Sequence, residues 1–187
     1  MWWRFDINKA VRALRNNQLI AYPTEGVYGL GCRLNALDTI DRIINLKQRP
    51  KDAGFVVIGS SFEQLSKLMS STLHEDARKR LLRDWPGPTT FIVPASRTLP
   101  WLVTGGRKTV ALRQTAHPVA KALCKKLGEP IISTSVNVRD DEPARSAKAV
   151  KAMFPNQIDF VLQGPLGSLK GPTEIRDLWS DEIIRSR

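Results

Sequence analysis

The residues best equipped for chemistry are cations and hydroxyls standing where secondary-structure elements end: Thr24, Lys47, Arg49, Arg113, Ser133, Ser135, Asn137 and Thr173. Arginine matches a planar carboxylate through its bidentate fork, and lysine meets a phosphate as a point charge. Such a set holds anions and offers little for covalent or acid–base work. Reactions at phosphorus can run on it, because positioning and charge neutralisation supply most of their catalysis. Other familiar sites are missing. Gly164-Pro165-Leu166-Gly167-Ser168-Leu169-Lys170 has the glycines and lysine of a phosphate loop at the wrong spacing. No G-x-G-x-x-G follows a strand and no G-x-S-x-G occurs. His74, His117, Cys32 and Cys124 show no metal-ligand spacing, so no protein-held metal is expected.

The element that organises the rest is Leu19–Cys32, LIAYPTEGVYGLGC. It reads as a strand over Leu19–Tyr22, broken at Pro23, which has no N–H for a sheet ladder. Gly26, Gly29 and Gly31 then alternate with larger residues, weakening a strand unless something approaches the backbone closely. In that case Thr24 and Tyr28 stand at the rim of a site; the plain alternative is a hairpin whose glycines form bulges. Asp6 reads as the N-cap of a first helix ending at Asn16-Asn17. A second helix runs from about Asp38 to Arg49, before Pro50. Lys47 there has an ordinary alternative role, complementing the helix dipole. Phe55–Ile58 reads as a buried strand and Phe62–Met69 as a helix. His74–Arg83 reads as an amphipathic helix with Ala77, Leu81 and Leu82 inward. Trp85-Pro86-Gly87-Pro88 is a rigid turn before the strand Thr90–Val93. Arg113 closes the otherwise apolar strand Thr109–Arg113, where it needs solvent, a ligand or a carboxylate such as Glu174 or Asp177. His117-Pro118 opens a helix stopped by Gly128. Ile131–Asn137 starts as a buried strand and turns hydroxyl-rich, which suits a polar ligand or a set of local caps. Asp140–Glu142 reads as an exposed loop, Ala147–Phe154 as a helix and Asp159–Gln163 as a strand. After the glycine-rich Gly164–Gly171, Pro172–Asp177 and Ile183–Arg185 finish the sheet. This alternation predicts an α/β fold, with 1–187 as a single domain.

Composition sets outer bounds. The 187 residues carry 29 Lys+Arg against 18 Asp+Glu, a net charge of +11 that concentrates polyanions such as nucleoside triphosphates or RNA. No apolar run approaches the length of a membrane span, and Met1–Asp6 lacks the layout of a signal peptide. With two widely separated cysteines, the expectation is a cytoplasmic protein with no membrane partner.

Seven stretches carry a family resemblance, in this order: Tyr22-Pro23-Thr24-Glu25-Gly26-Val27-Tyr28-Gly29-Leu30, Lys47-Gln48-Arg49-Pro50, Trp85-Pro86-Gly87-Pro88-Thr89, Val110-Ala111-Leu112-Arg113, His117-Pro118, Ser133-Thr134-Ser135-Val136-Asn137 and Pro172-Thr173-Glu174-Ile175-Arg176-Asp177. Together they resemble the signature set of the YrdC-type threonylcarbamoyl-AMP synthases, in the short bacterial TsaC form without an extra C-terminal domain. The resemblance implies a twisted mixed β-sheet flanked by helices around a large positively charged cavity. It implies that L-threonine, bicarbonate and ATP give threonylcarbamoyl-AMP and pyrophosphate, with Mg2+ arriving on the ATP. The threonylcarbamoyl group would then pass to the tRNA adenosine 3′ of the anticodon, through downstream transfer proteins and with weak tRNA binding. Lys47, Arg49 and Arg113 would be the catalytic cations. Thr24, Tyr28, Arg113, Ser133 and Thr173 would take threonine and its carbamate. Lys47, Arg49, Thr109, Ser135 and Asn137 would take ATP.

The chain departs from the family pattern twice. Ser135-Val136-Asn137-Val138-Arg139-Asp140 lacks the family's Ser-Gly pair, and Pro172-Thr173-Glu174 replaces Pro-Ser-Thr. A rival reading is a non-catalytic tRNA- or double-stranded-RNA-binding module. Reading bases usually takes aromatics interleaved with cations, whereas Trp2, Trp3, Trp85, Trp101 and Trp179 are scattered. A maturation domain for carbamoylated intermediates within a larger enzyme is a further, weaker alternative.

Overall fold

Strand side chains point alternately to opposite faces, and here that alternation sorts the apolar residues into two cores. Ile20 and Tyr22 join one cluster while Leu19 and Ala21 join the other; Ile58 and Val57 divide likewise, as do Ile131 and Ile132. The computed structural model describes residues 3–70, 74–138 and 141–186. Trp2, and Arg139 and Asp140 of the departing loop, lie outside the described residues.

In chain order the elements are α1 (Trp3–Arg15), β1 (Ile20–Pro23), β2 (Tyr28–Gly31), α2 (Leu37–Lys47), β3 (Val56–Gly59), α3 (Phe62–Ser66), α4 (Glu75–Asp84), β4 (Thr89–Pro94), α5 (Trp101–Thr104), β5 (Thr109–Gln114), α6 (Pro118–Leu127), β6 (Ile131–Ser135), α7 (Ala147–Met153), β7 (Phe160–Val161), β8 (Glu174–Asp177) and β9 (Ile183–Arg185). The strands form one mixed nine-stranded sheet in the order β7-β1-β2-β6-β3-β5-β4-β8-β9. β1 and β2 are an antiparallel hairpin, β3 and β5 run parallel, and β6 lies antiparallel between β2 and β3. This is the expected α/β class with a helix-flanked mixed sheet.

α2, α4 and α7 bury Ile40, Ile43, Leu81 and Val150 against one face of the sheet. On the other face α1 and α6 pack against each other, over β1, β3 and β7, through Ile7, Val11, Leu14, Val119 and Leu123. The main packing of α1 and α6 is thus on β1, β3 and β7, with none of comparable extent on β4 or β8.

Several local expectations change. Asp6 lies inside the first turn of α1, where a carboxylate favours the positive end of the helix dipole, and is not its N-cap. Leu82 is 46% exposed, because the buried stripe of α4 runs through Ala77 and Leu81 alone. α3 stops at Ser66, short of Met69, and β7 keeps only Phe160 and Val161. Pro23 closes β1 as its last residue, opposite Tyr28. The hairpin glycines serve close approach: a Cβ on Gly26 would lie 1.9 Å from the Gly171 carbonyl oxygen.

Candidate functional site

The chemistry-bearing residues gather over the sheet beyond α1 and α6. Residues i and i+2 of a strand share a face, so Thr109, Ala111 and Arg113 of β5 and Ser133 and Ser135 of β6 line one cavity. Register carries the floor across the sheet, Ser133 opposite Val56, Val56 opposite Ala111 and Ala111 opposite Ile92. The walls come from the β1–β2 hairpin (Thr24, Tyr28), the segment after α2 (Arg49, Gly54), the turn before β5 (Arg107) and the last strands (Thr173, Arg185). The cavity measures about 220 Å3.

Arginine dominates its electrostatics. Arg49, Arg107, Arg113 and Arg185 all line the cavity, with no carboxylate among the described lining residues. Arg49 Nη2 donates to the Gly54 carbonyl at 2.6 Å, and its guanidinium lies 4.6 Å over the Phe55 ring. Burial, then Arg107 and Arg185, press its pKa below the ordinary arginine value. Arg185 Nη2 donates to the Thr173 carbonyl at 2.7 Å, and burial together with Arg113 lowers its pKa as well. Like charges held this close favour an anion between them.

Arg113 is buried at the end of β5. Its Nη1 donates to Thr173 Oγ1 at 2.6 Å, and its Nη2 donates to Glu25 Oε2 at 3.1 Å. The ion-pair partner is therefore Glu25 of the hairpin turn, in place of the expected Glu174 or Asp177. Glu174 pairs with Arg176, and Asp177 accepts from the backbone N–H groups of Trp179 and Ser180. Burial pushes the Glu25 carboxyl up, but Arg113, the Thr115 hydroxyl at 2.6 Å and its other partners outweigh this and hold it below its ordinary value.

Eight of the ten expected site residues line the cavity: Thr24, Tyr28, Arg49, Thr109, Arg113, Ser133, Ser135 and Thr173. Thr24 Oγ1 donates to the Val27 carbonyl at 2.8 Å, closing the hairpin turn, and the Tyr28 hydroxyl donates to the Gly164 carbonyl at 3.2 Å. Lys47 and Asn137 are not on the wall. Lys47 Nζ donates to the Ser135 carbonyl at 2.6 Å, the Asn137 carbonyl at 2.8 Å and Asn137 Oδ1 at 2.9 Å. A lysine has three N–H donors, and all are engaged. The same Asn137 Oδ1 accepts from Ser135 Oγ at 2.6 Å, so both residues stand behind Ser135 and fix it. Lys47 does stand in the last turn of α2, where it complements the helix dipole, but it is only 5% exposed and so is not a solvated surface cation.

Sequence reasoning missed Glu25, Arg107 and Arg185 as parts of the site. In the sequence Arg107 belongs only to a basic turn, Gly105-Gly106-Arg107-Lys108, and Arg185 to the end of a terminal strand. A signal for Glu25 did exist: a lone carboxylate between a strand-ending proline and glycines that invite close packing must find a cation.

A family model for the Sua5/YciO/YrdC domain, described as telomere recombination, matches residues 12–186. The chain is 42% identical over 180 residues to a threonylcarbamoyl-AMP synthase of Coxiella burnetii (strain RSA 493 / Nine Mile phase I), covering 96% of each. Among solved structures it resembles P. abyssi Sua5 complexed with L-threonine, with a TM-score of 0.89 and 33% identity over 97% of this chain; it spans 54% of that longer protein. It also resembles E. coli YciO, with a TM-score of 0.84 and 30% identity, covering 98% of this chain and 89% of that one. The motifs, the sheet topology and these likenesses agree: the chain belongs to the Sua5/YciO/YrdC family.

Proposed function

We propose that this protein is an L-threonylcarbamoyladenylate synthase, which converts L-threonine, bicarbonate and MgATP into threonylcarbamoyl-AMP and pyrophosphate. The observation that carries the reading is the cavity itself, which sets four arginines and a row of hydroxyls around strands β5 and β6. It is supported by 42% identity, over 96% of each chain, to a protein named for that activity.

The chemistry needs what the cavity offers. The threonine amine condenses with bicarbonate to a carbamate, releasing water. A carbamate oxygen then attacks the α-phosphorus of ATP, and pyrophosphate leaves. Two anions must be pressed together, so fixed cations matter more than a general base. Arg113, with Thr173 and Thr24 beside it, takes the amino-acid carboxylate, and Tyr28 and Ser133 border the carbamate. Arg49, Thr109 and Ser135 face the nucleotide, with Arg107 and Arg185 completing the phosphate side. Lys47 and Asn137 act through Ser135, which they hold in place. Mg2+ belongs to the MgATP substrate, where it offsets phosphate charge. The proposed setting is the cytoplasm, with the product passed to transfer proteins that modify tRNA. Cys32 and Cys124, both buried free thiols, suit that compartment.

The test is incubation with MgATP, bicarbonate and an amino acid, reading pyrophosphate and the adenylate. A pocket that pairs the threonine hydroxyl leaves its own polar groups unsatisfied when that hydroxyl is missing. The expected order is threonine, then serine more slowly, with almost nothing from valine. Equal rates with valine would remove the threonine pocket, and no release with any amino acid would remove the synthase reading.

A further inference from the structure

We propose that Glu25 is a positioning residue for amino-acid binding, holding the Arg113 guanidinium at the cavity wall against the repulsion of the other arginines. The proposal rests on the synthase reading. Glu25 and Arg113 are both largely withdrawn from solvent, with side chains 10% and 5% exposed, and they meet at 3.1 Å. The second carboxylate oxygen accepts from Thr115 Oγ1 at 2.6 Å, and that hydroxyl in turn accepts from the backbone N–H of His117 at 3.1 Å. The carboxylate is thus tied to the start of α6, which fixes its direction as well as its charge.

The main chain of the same residue has a second task. Its carbonyl accepts from Leu169 N at 3.0 Å, while the Thr24 carbonyl accepts from Gly167 N at 3.0 Å. The turn carrying Glu25 is thereby clamped under the 164–171 loop. Glu25 is not among the residues that line the cavity, which suits a role exerted through Arg113. Arg113 needs such a partner. It lies close enough to Arg185 to lower that residue's pKa, and its Nε–H is buried without a hydrogen-bond partner. An unbalanced guanidinium would turn away from its like-charged neighbours towards water, carrying the carboxylate-binding N–H groups with it.

The test compares Glu25→Gln, which keeps shape and an acceptor but removes the charge, with Glu25→Asp, which keeps the charge on a shorter arm. Expected for Glu25→Gln is a rise of about ten-fold or more in the threonine KM, with the MgATP KM moved less than about two-fold. Glu25→Asp should recover part of the loss. Thr115→Val, which frees one carboxylate oxygen, should shift the threonine KM the same way by less, and it supplies the answer should Glu25→Gln fold poorly. A purely structural carboxylate would lower the melting temperature and the active fraction while leaving both KM values alone, and that result overturns the proposal. So does a parallel rise in both KM values. A wild-type protein that releases no pyrophosphate overturns the synthase reading and this inference with it; an active wild type with an unmoved Glu25→Gln overturns this inference alone.

Discussion

Lys47 shows what a residue's place in a sequence can and cannot reveal. Its position at the end of an amphipathic helix, two residues before Arg49, marked it as a useful cation. Its partners lie on β6 and the loop beyond, 88 and 90 residues along the chain, and no local pattern announces them. The Glu25–Arg113 pair was hidden for the same reason. A tertiary ion pair is set by which strands neighbour each other, whereas helical and strand periods concern only residues close in sequence. Lys47 also carries a pH prediction. Burial, with Arg49 nearby, lowers its pKa from 10.5 to about 8. A neutral amine offers two N–H donors to three oxygen acceptors, so Ser135 and Asn137 lose part of their support as Lys47 deprotonates. Synthase activity should therefore fall above about pH 8. Stability moves the other way. Between pH 8 and 10.5 the unfolded chain holds this proton more tightly than the folded one, so stability from this group rises with pH. An alkaline loss of activity without a drop in melting temperature marks the site and excludes unfolding. In Lys47→Arg, which stays charged, that limb should move to higher pH; an unchanged limb would assign it to another group.

At the scale of elements, the β1–β2 hairpin was readable because proline and glycine have few conformational reasons to stand where they do. What presses against it was not readable. The glycine-rich 164–171 loop showed no periodicity and could be assigned only as a loop, yet it runs directly over the hairpin turn. A Cβ on Gly26 would lie 1.9 Å from the Gly171 carbonyl oxygen, and one on Gly167 would lie 2.6 Å from the Glu25 carbonyl oxygen. Both encounters are backbone against backbone, where no side-chain rotamer can give way. Gly26→Ala should therefore part the loop from the turn and release Thr24 and Glu25 together. The expected cost is about 1–3 kcal/mol of stability, typical of overpacking, with a larger fractional loss of threonine use. Gly171→Ala is the matched control. A Cβ there meets nothing within 4 Å, so melting temperature and kinetics should stay near wild type. If the two variants behave alike, the close approach is not what the hairpin glycines serve.

At the scale of the molecule, the +11 net charge was legible from composition but its distribution was not. α4 neutralises much of its own charge: Arg78 lies near Glu75, Lys79 near Asp76 and Arg83 beside Asp84. Two concentrations of basic residues stand apart from α4. One is the cavity, where small polyanionic substrates would use it. The other is the outer surface of α1 and α6, where Lys9, Arg12, Arg15, Lys121, Lys125 and Lys126 are exposed and Asp6 alone offsets them from within these helices. That surface favours RNA contact, and α6 contributes no aromatic to it that could stack on a base. Contact through phosphates alone is governed by counterion release, so its affinity falls steeply as salt rises. Binding of tRNA should accordingly be weak near physiological salt and should fade further on raising it. Lys121→Glu together with Lys125→Glu should weaken it again while pyrophosphate release stays unchanged, because neither residue lines the cavity. Filter binding across a salt series, run beside the pyrophosphate assay, separates the two charge centres. Tight tRNA binding that survives high salt, in a protein releasing no pyrophosphate, would instead make RNA the principal ligand and leave the arginine cavity as part of its footprint.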